Sequence, residues 1–270
     1  MRWTRFLIGT AAAAALALLL CTSTEAQNGG GWGTVKGQVV YAGAQAPNPV
    51  PLKVDKDPEA CLKNGPILSQ ELVVNPKNKG VRWAMVWLSA LDDKGNADPK
   101  AKMPIHPSLK ELKQKEVEID QPCCMFEPRI VMMREGQTLV AKNSAAIPHN
   151  IKIDGDISGN PSLNQAIPPG GKLNIGNWVI TKTAAVPMSC TAHGWMNGYI
   201  RVFNHPYFAV TDADGNFEIK DAPAGKFRLV LWHEKVGWLA GDKSPDKNGK
   251  TIEIKPGGVT DVGKVELKDK

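Results

Sequence analysis

Beyond Leu20 this 270-residue chain has no long apolar run. The single such run, Phe6 to Leu20, falls short of the roughly 20 residues that cross a bilayer, so no transmembrane span is expected in the mature chain. Helical patterning is almost missing: Ser108 to Lys115 is the one plausible helix, short and highly charged. A concentrated basic face is missing as well. Lys53, Lys56, Lys110, Lys115 and Lys152 are interspersed with Asp and Glu, without base-reading or stacking groups, which argues against nucleic acid as a partner. A nucleophilic Cys-His pair is also excluded, because Cys190 and His193 share one tight loop and no third group is placed to orient a base.

What stands at the front of the chain reads as an export signal. Arg2 and Arg5 precede the apolar run, and Thr24-Glu25-Ala26 ends in a small residue suited to signal peptidase, so residues 1–26 are expected to be removed. A lipid anchor at Cys21 is the weaker alternative, since Leu20 is large where a small residue normally precedes a lipidated Cys. The mature protein is then periplasmic or secreted. Loss of the two Arg and one Glu of that segment takes the formal charge from +6 to +5, enough to steer an acidic partner at low salt. Cys61, Cys123, Cys124 and Cys190 remain, in a compartment that tolerates disulfides. If Cys190 holds a metal, the other three allow one bridge and leave one thiol. Cys61 paired with Cys124 or with Cys123 is expected, a bridge between the neighbours Cys123 and Cys124 being the strained alternative.

From Gly33 onward short β-type runs alternate with Gly, Pro, Asn and Asp, which predicts an all-β protein. Thr34 to Tyr41 and Val81 to Leu91 read as strands, the second with Val81, Trp83, Met85 and Trp87 alternating along one face. Ala46 to Leu52 between them is a Pro-rich surface connection. Strands are expected over Arg129 to Met133, Thr138 to Asn143, His149 to Ile153, Lys172 to Val179, Lys182 to Met188 and Gly198 to Phe203. The Gly-, Pro- and Ser-rich stretch after Ile153 reads as a loop. Spacing of this kind suggests a Greek-key sandwich over 116–203, with the Cys190 loop joining its last two strands beside the strand that carries His149. Phe208 to Ile219 reads as two strands around an Asp-Gly turn, continued by Asp221 to Leu229.

The chemistry concentrates in Cys190-Thr191-Ala192-His193-Gly194-Trp195-Met196, read with Pro148-His149-Asn150. A thiolate, two imidazoles and a thioether suit one copper ion: two nitrogens and a sulfur in a trigonal set with a weak axial Met form the blue-copper electron-transfer geometry. Zinc, the rival for a thiol site, wants four strong ligands, and Met196 is not one. This combination resembles the cupredoxins, with the amicyanin spacing between His193 and Met196. The resemblance covers roughly Glu116 to Phe203. It implies His149, Cys190 and His193 as equatorial ligands, Met196 as axial ligand, and Asn150 as the residue that ties its strand to the loop near Thr191. Ala192 stands where amicyanin has Pro, which implies a less stiff loop.

The segments 33–101 and 204–270 together resemble the carboxypeptidase regulatory-like, prealbumin-type β-sandwich. The copper block would then be inserted in, or joined to, that second small sandwich. Secreted relatives of this two-part type are similar at Cys124-Met125-Phe126-Glu127-Pro128-Arg129 but carry His where this chain has Arg129.

His106, His205 and His233 lack ligand company and read as surface or packing residues. Met132, Met133 and Met188 read as core, and Trp195 either shields the site or meets a partner. A multicopper oxidase would flank the copper Cys with His, whereas Ser189 and Thr191 stand there. The expected function is therefore not enzymatic: an exported carrier of single electrons between redox proteins, a dehydrogenase and a cytochrome being the expected kinds. The alternative is a partner- or glycan-binding module in which copper is structural or sequestered.

Overall fold

The computed structural model describes residues 31–239 and 246–268, all but a few of its regular elements being strands. The export-signal reading of 1–26, and with it the Cys21 alternative, lies outside the described residues. Among the described residues no helix is long and apolar enough to cross a membrane.

Four sheets form. Chain segments 32–98 and 208–267 supply two of them. The first holds Asn216–Pro223, Trp32–Tyr41 and Val259–Leu267; the second holds Phe208–Val210, Met85–Leu91, Gly225–His233 and Gly237–Trp238, with Ala97–Asp98 and Lys250–Ile254 at its margins. The third runs Ile130–Arg134, Asn197–Phe203, Val186–Ser189, His149–Asp154, Ser162–Ile167, and the fourth Glu116–Ile119, Thr138–Lys142, Lys172–Ile175. Each of the two sandwiches thus pairs a small outer sheet with a larger inner one.

The strands at which the two inner sheets meet are buried on both faces, and strand alternation explains how. Val86, Leu88, Leu229 and Leu231 point into the core shared with Val35, Val39, Phe217 and Val265. Their neighbours Met85, Trp87, Val230 and Trp232 point the other way, onto Ile130 and Phe203 of the third sheet. In that third sheet Val131, Met133, Ile200 and Val202 fill the next core with Leu139, Ile151 and Ile167. A strand covered on both sides reads as a nearly unbroken apolar run, which is how Met-Val-Trp-Leu and Leu-Val-Leu-Trp appear in the sequence.

Two buried cations sit in this apolar seam. The Arg129 guanidinium donates to both Glu234 oxygens at 2.6 Å and to the Asn197 carbonyl at 2.9 Å, linking the two sandwiches. The Arg201 guanidinium lies 4.1 Å over the Trp87 ring and donates to the carbonyls of Thr183 and Ala184. Arg129 is therefore half of a buried ion pair. Burial pushes the Glu234 carboxyl up while Arg129 pulls it down. His205 and His233 are packing residues in the interior, held neutral by burial at about 3 and about 4.

Three expectations need correction. The helix expected over Ser108 to Lys115 is absent; only Pro107–Leu109 makes a single 3-10 turn, and Leu109 and Leu112 are the only apolar residues the stretch has to bury. A four-residue helix, Pro58–Cys61, forms instead. The strand expected from Val81 begins at Met85, since Trp83 adopts φ 71 and breaks the extended run. The stretch read as a loop after Ile153 contains the edge strand Ser162–Ile167, whose mostly exposed polar side chains give no alternation signal.

Truncating Glu234 to Ala strands the Arg129 charge inside the protein, so urea unfolding of that variant is expected to show a loss of about 3–5 kcal/mol. An unchanged midpoint would contradict this account. Because His205 and His233 bind protons only when unfolded between their folded values and about 6.5, stability is expected to fall as pH drops from 6.5 towards 4. His233→Gln is expected to flatten that slope in urea titrations run across the range.

Candidate metal centre

The loop that carries three of the four expected ligands joins Val186–Ser189 to Asn197–Phe203, two antiparallel neighbours. Two backbone bonds close it: Cys190 N–H donates to the Met196 carbonyl at 3.1 Å, and Met196 N–H to the His193 carbonyl at 2.9 Å. Gly198 at the exit has no room for a side chain, because a Cβ would stand 2.5 Å from the Arg129 carbonyl oxygen. On its other side Val186–Ser189 pairs with His149–Asp154, which brings His149 to the same end of the sandwich.

There the side chains converge. His149 Nδ1 lies 2.9 Å from His193 Nδ1, and Cys190 Sγ lies 3.8 Å from that same His193 nitrogen. The donor atoms of all three residues lie within 4.8 Å of one another. Each residue is almost fully withdrawn from solvent, as is Met196, which packs in the same core cluster as Cys190. Burial, helped by the neighbouring His193, holds His149 down to about 4, so its imidazole is neutral and has a lone pair to offer at neutral pH.

Proton bookkeeping shows that this cluster suits a cation. His193 Nε2 is 3.0 Å from Asp57 Oδ2, and an ionised carboxylate only accepts, so Nε2 carries a proton and, in the neutral ring, Nδ1 presents a lone pair. His149 Nδ1 faces that lone pair. If His149 carries its proton on Nδ1, its buried Nε2, which has no partner, is left as an unsatisfied acceptor. If the proton is on Nε2, two lone pairs oppose each other across 2.9 Å. A metal ion held by His149 and His193 would relieve that opposition, and Cys190 stands beside them to contribute sulfur as a thiolate. The donor set, two imidazoles and one thiol with a buried Met nearby, therefore fits copper as the sequence reading expected.

Asn150 organises the loop. Its Oδ1 accepts from Thr191 N–H at 2.9 Å, Ala192 N–H at 3.1 Å, the Thr191 hydroxyl at 3.1 Å and the Cys190 thiol at 3.1 Å. Its Nδ2 donates to Asn164 Oδ1 at 2.6 Å, fixing which end of the amide faces the loop. Cys61 is bridged to Cys124, which leaves Cys123 and Cys190 as thiols. Cys61, Cys124 and His193 form a second close group, but those two sulfurs are bonded to each other and offer no thiolate. Trp195 lies edge-on to the His193 ring, centroids 5.2 Å apart, and its Nε1 donates to the Cys124 carbonyl at 3.0 Å. It shields the site, and its outer side lines an open cleft with Met125, Tyr199 and Glu234.

Asp57 is the residue that sequence reasoning missed. It sits in Lys-Val-Asp-Lys-Asp-Pro, with no motif around it and 136 positions from His193. The one available signal was the expected bridge from Cys61, which draws its chain neighbours towards Cys124.

No family model and no curated protein matches the chain. Solved structures are similar over a part of it. A reduced single-site variant of amicyanin is 18% identical, over 38% of this chain and 94% of that one, with a TM-score of 0.29. A Cu(I) form of another amicyanin variant is 18% identical, over 40% and 98%, with a TM-score of 0.30. A purple cupredoxin from Nitrosopumilus maritimus is 20% identical, over 32% and 98%, with a TM-score of 0.27. The ligand argument for this chain rests on its own side chains.

Asn150→Ala removes one acceptor from four donors. In the metal-free protein it is expected to lower stability by about 1–3 kcal/mol in urea titration. Amide hydrogen exchange at Thr191 and Ala192 is expected to speed up while the strand amides of Ile151 and Ile153 change little. Unchanged loop exchange would remove Asn150 from the role given it here.

Proposed function

We propose that the protein is an exported blue-copper carrier of single electrons, with His149, Cys190 and His193 as the strong ligands of one copper ion and Met196 as the weak one. The observation that carries this reading is the facing pair of Nδ1 atoms, 2.9 Å apart, with the Cys190 sulfur beside them. Copper bound there would supply a one-electron couple. The chain's part is to hold soft and borderline donors in a fixed arrangement, which keeps rearrangement small when the charge changes. Asn150 accepts from the loop amides of Thr191 and Ala192, His149 stays neutral, and the apolar core around Met196 excludes water. With the site closed on all sides no position is left open for a substrate, so the activity we assign is exchange of electrons rather than catalysis.

Export is supported by the Cys61–Cys124 disulfide, a bond typical of oxidising compartments, and by the export signal read in residues 1–26. The partners on this reading are redox proteins, a dehydrogenase-type donor and a cytochrome-type acceptor. The sandwich built from 32–98 and 208–267 acts as the scaffold that holds the copper domain, in keeping with its likeness to the carboxypeptidase regulatory-like sandwich.

One observation favours a second reading. His193 is wholly buried behind Asp57, so the metal is more enclosed than a simple surface exchange site requires, which suits copper held in sequestered form. Voltammetry separates the two, since a carrier cycles reversibly and a sequestering site does not.

Loading the purified protein with Cu(II) is expected to give an intense blue colour with about one copper per chain, and Cys190→Ser to abolish the colour. A colourless wild-type protein after loading would overturn the carrier reading.

A further inference from the structure

His193 sits on the exposed rim of a loop, between Ala192 and Gly194, yet its own ring is fully buried. What covers it comes from the distant connection between Trp32–Tyr41 and Met85–Leu91. Asp57 Oδ2 accepts from His193 Nε2 at 3.0 Å. Asp57 is held in the left-handed region, φ 50 and ψ 46, where few side chains are comfortable, and its backbone carbonyl begins the short helix by accepting from Ala60 and Cys61. Its carboxylate makes no capping bond to that helix. The local turn therefore does not use the side chain, which is spent on the histidine. At the other end of this single helical turn, Cys61 is bonded to Cys124, and both sulfurs lie within 4.8 Å of a His193 ring nitrogen. Trp195 closes the remaining side.

We propose that Asp57 is the positioning residue of the metal centre: through Nε2 it fixes the His193 ring and sets the potential of the bound metal, and the Cys61–Cys124 disulfide keeps it in place. This inference rests on the copper reading above. The physical cause is general: a carboxylate that accepts from the far N–H of a ligating imidazole fixes the tautomer and makes the coordinating nitrogen a stronger donor. A stronger donor, with a nearby negative charge, favours the more positive oxidation state. Asp57 thus lowers the potential of the couple and removes the imidazole edge from solvent in one contact.

The test compares wild type, Asp57→Asn, Asp57→Ala and the pair Cys61→Ala with Cys124→Ala, each in the full mature chain. Asn keeps an oxygen acceptor and loses the charge, whereas Ala loses both. In spectroelectrochemistry of the copper-loaded proteins, Asp57→Asn is expected to retain the blue band while its Cu(I):Cu(II) ratio at fixed ambient potential rises by about tenfold, equivalent to about 59 mV for one electron. In the metal-free proteins, imidazole NMR is expected to show a His193 Nε2 proton that exchanges slowly in wild type and in Asp57→Asn. That proton is expected to exchange fast in Asp57→Ala, and faster than wild type in the disulfide-free variant. A blue wild type whose ratio is unmoved by Asp57→Asn overturns the tuning role and leaves the carrier reading intact. A wild type that takes up no copper overturns the carrier reading and the tuning role together. Equal Nε2 exchange in wild type and Asp57→Ala overturns the positioning role whatever the metal does, and does not depend on the disulfide-free variant folding.

Discussion

Four donors converge on one oxygen, Oδ1 of Asn150, and the arrangement of the site depends on that convergence. A loop of seven residues that must present a thiol, an imidazole and a thioether inward cannot be fixed by its own two backbone bonds. The strand carrying His149 supplies the missing constraint, because Asn150 is the next residue along it. Alternation along a strand sends neighbouring side chains to opposite faces, yet here both serve one site: His149 reaches the ligand cluster, while Asn150 reaches the backbone of the loop. The pairing of Met188 with Ile153 and of Ser189 with Lys152 sets the distance between strand and loop. Ligand placement is therefore a consequence of sheet register.

That register is in turn insulated by packing. In the third sheet, Ile130–Arg134 and Asn197–Phe203 are buried on one face by their own sandwich core and on the other by Met85, Trp87, Val230 and Trp232 of the neighbouring sandwich. A strand pair covered on both faces has little freedom to twist or slip, since a one-residue shift would exchange two complete sets of buried side chains. The Arg129–Glu234 pair adds direction to an otherwise apolar seam. It is anchored on the carbonyl of Asn197, the first residue of the strand that leaves the ligand loop.

Much of this was legible in the chain. The Cys190–Met196 loop announces itself because a thiol, an imidazole and a thioether stand in it at metal-ligand spacing, and most strands announce themselves by apolar runs between Gly, Pro and Asp. The misses have physical causes. Ser162–Ile167 is an edge strand with most of its side chains in water, so burial leaves no imprint on its sequence. Trp83 fits the alternation it appears to continue, but its backbone turns into the left-handed region, which residue type does not reveal. Asp57 was hidden for a deeper reason: its partner is brought to it by tertiary structure, and nothing within ten residues of it carries a metal motif.

The path of the chain explains why the cover comes from so far away. The connection from Tyr41 to Met85 belongs by sequence to the sandwich of 32–98 and 208–267, yet it crosses to the other sandwich, where Cys61 is bonded and Asp57 meets His193. The stretch 116–203 holds all four expected ligands but neither Asp57 nor Cys61. Taken alone it would present His193 with its outer nitrogen uncovered and Cys124 without its partner. The two sandwiches are therefore not a metal domain with an appended module: the enclosed centre is a product of both. On the copper reading, selection on the potential or the enclosure of the metal would act on a surface connection of the sandwich that contributes none of the four expected ligands.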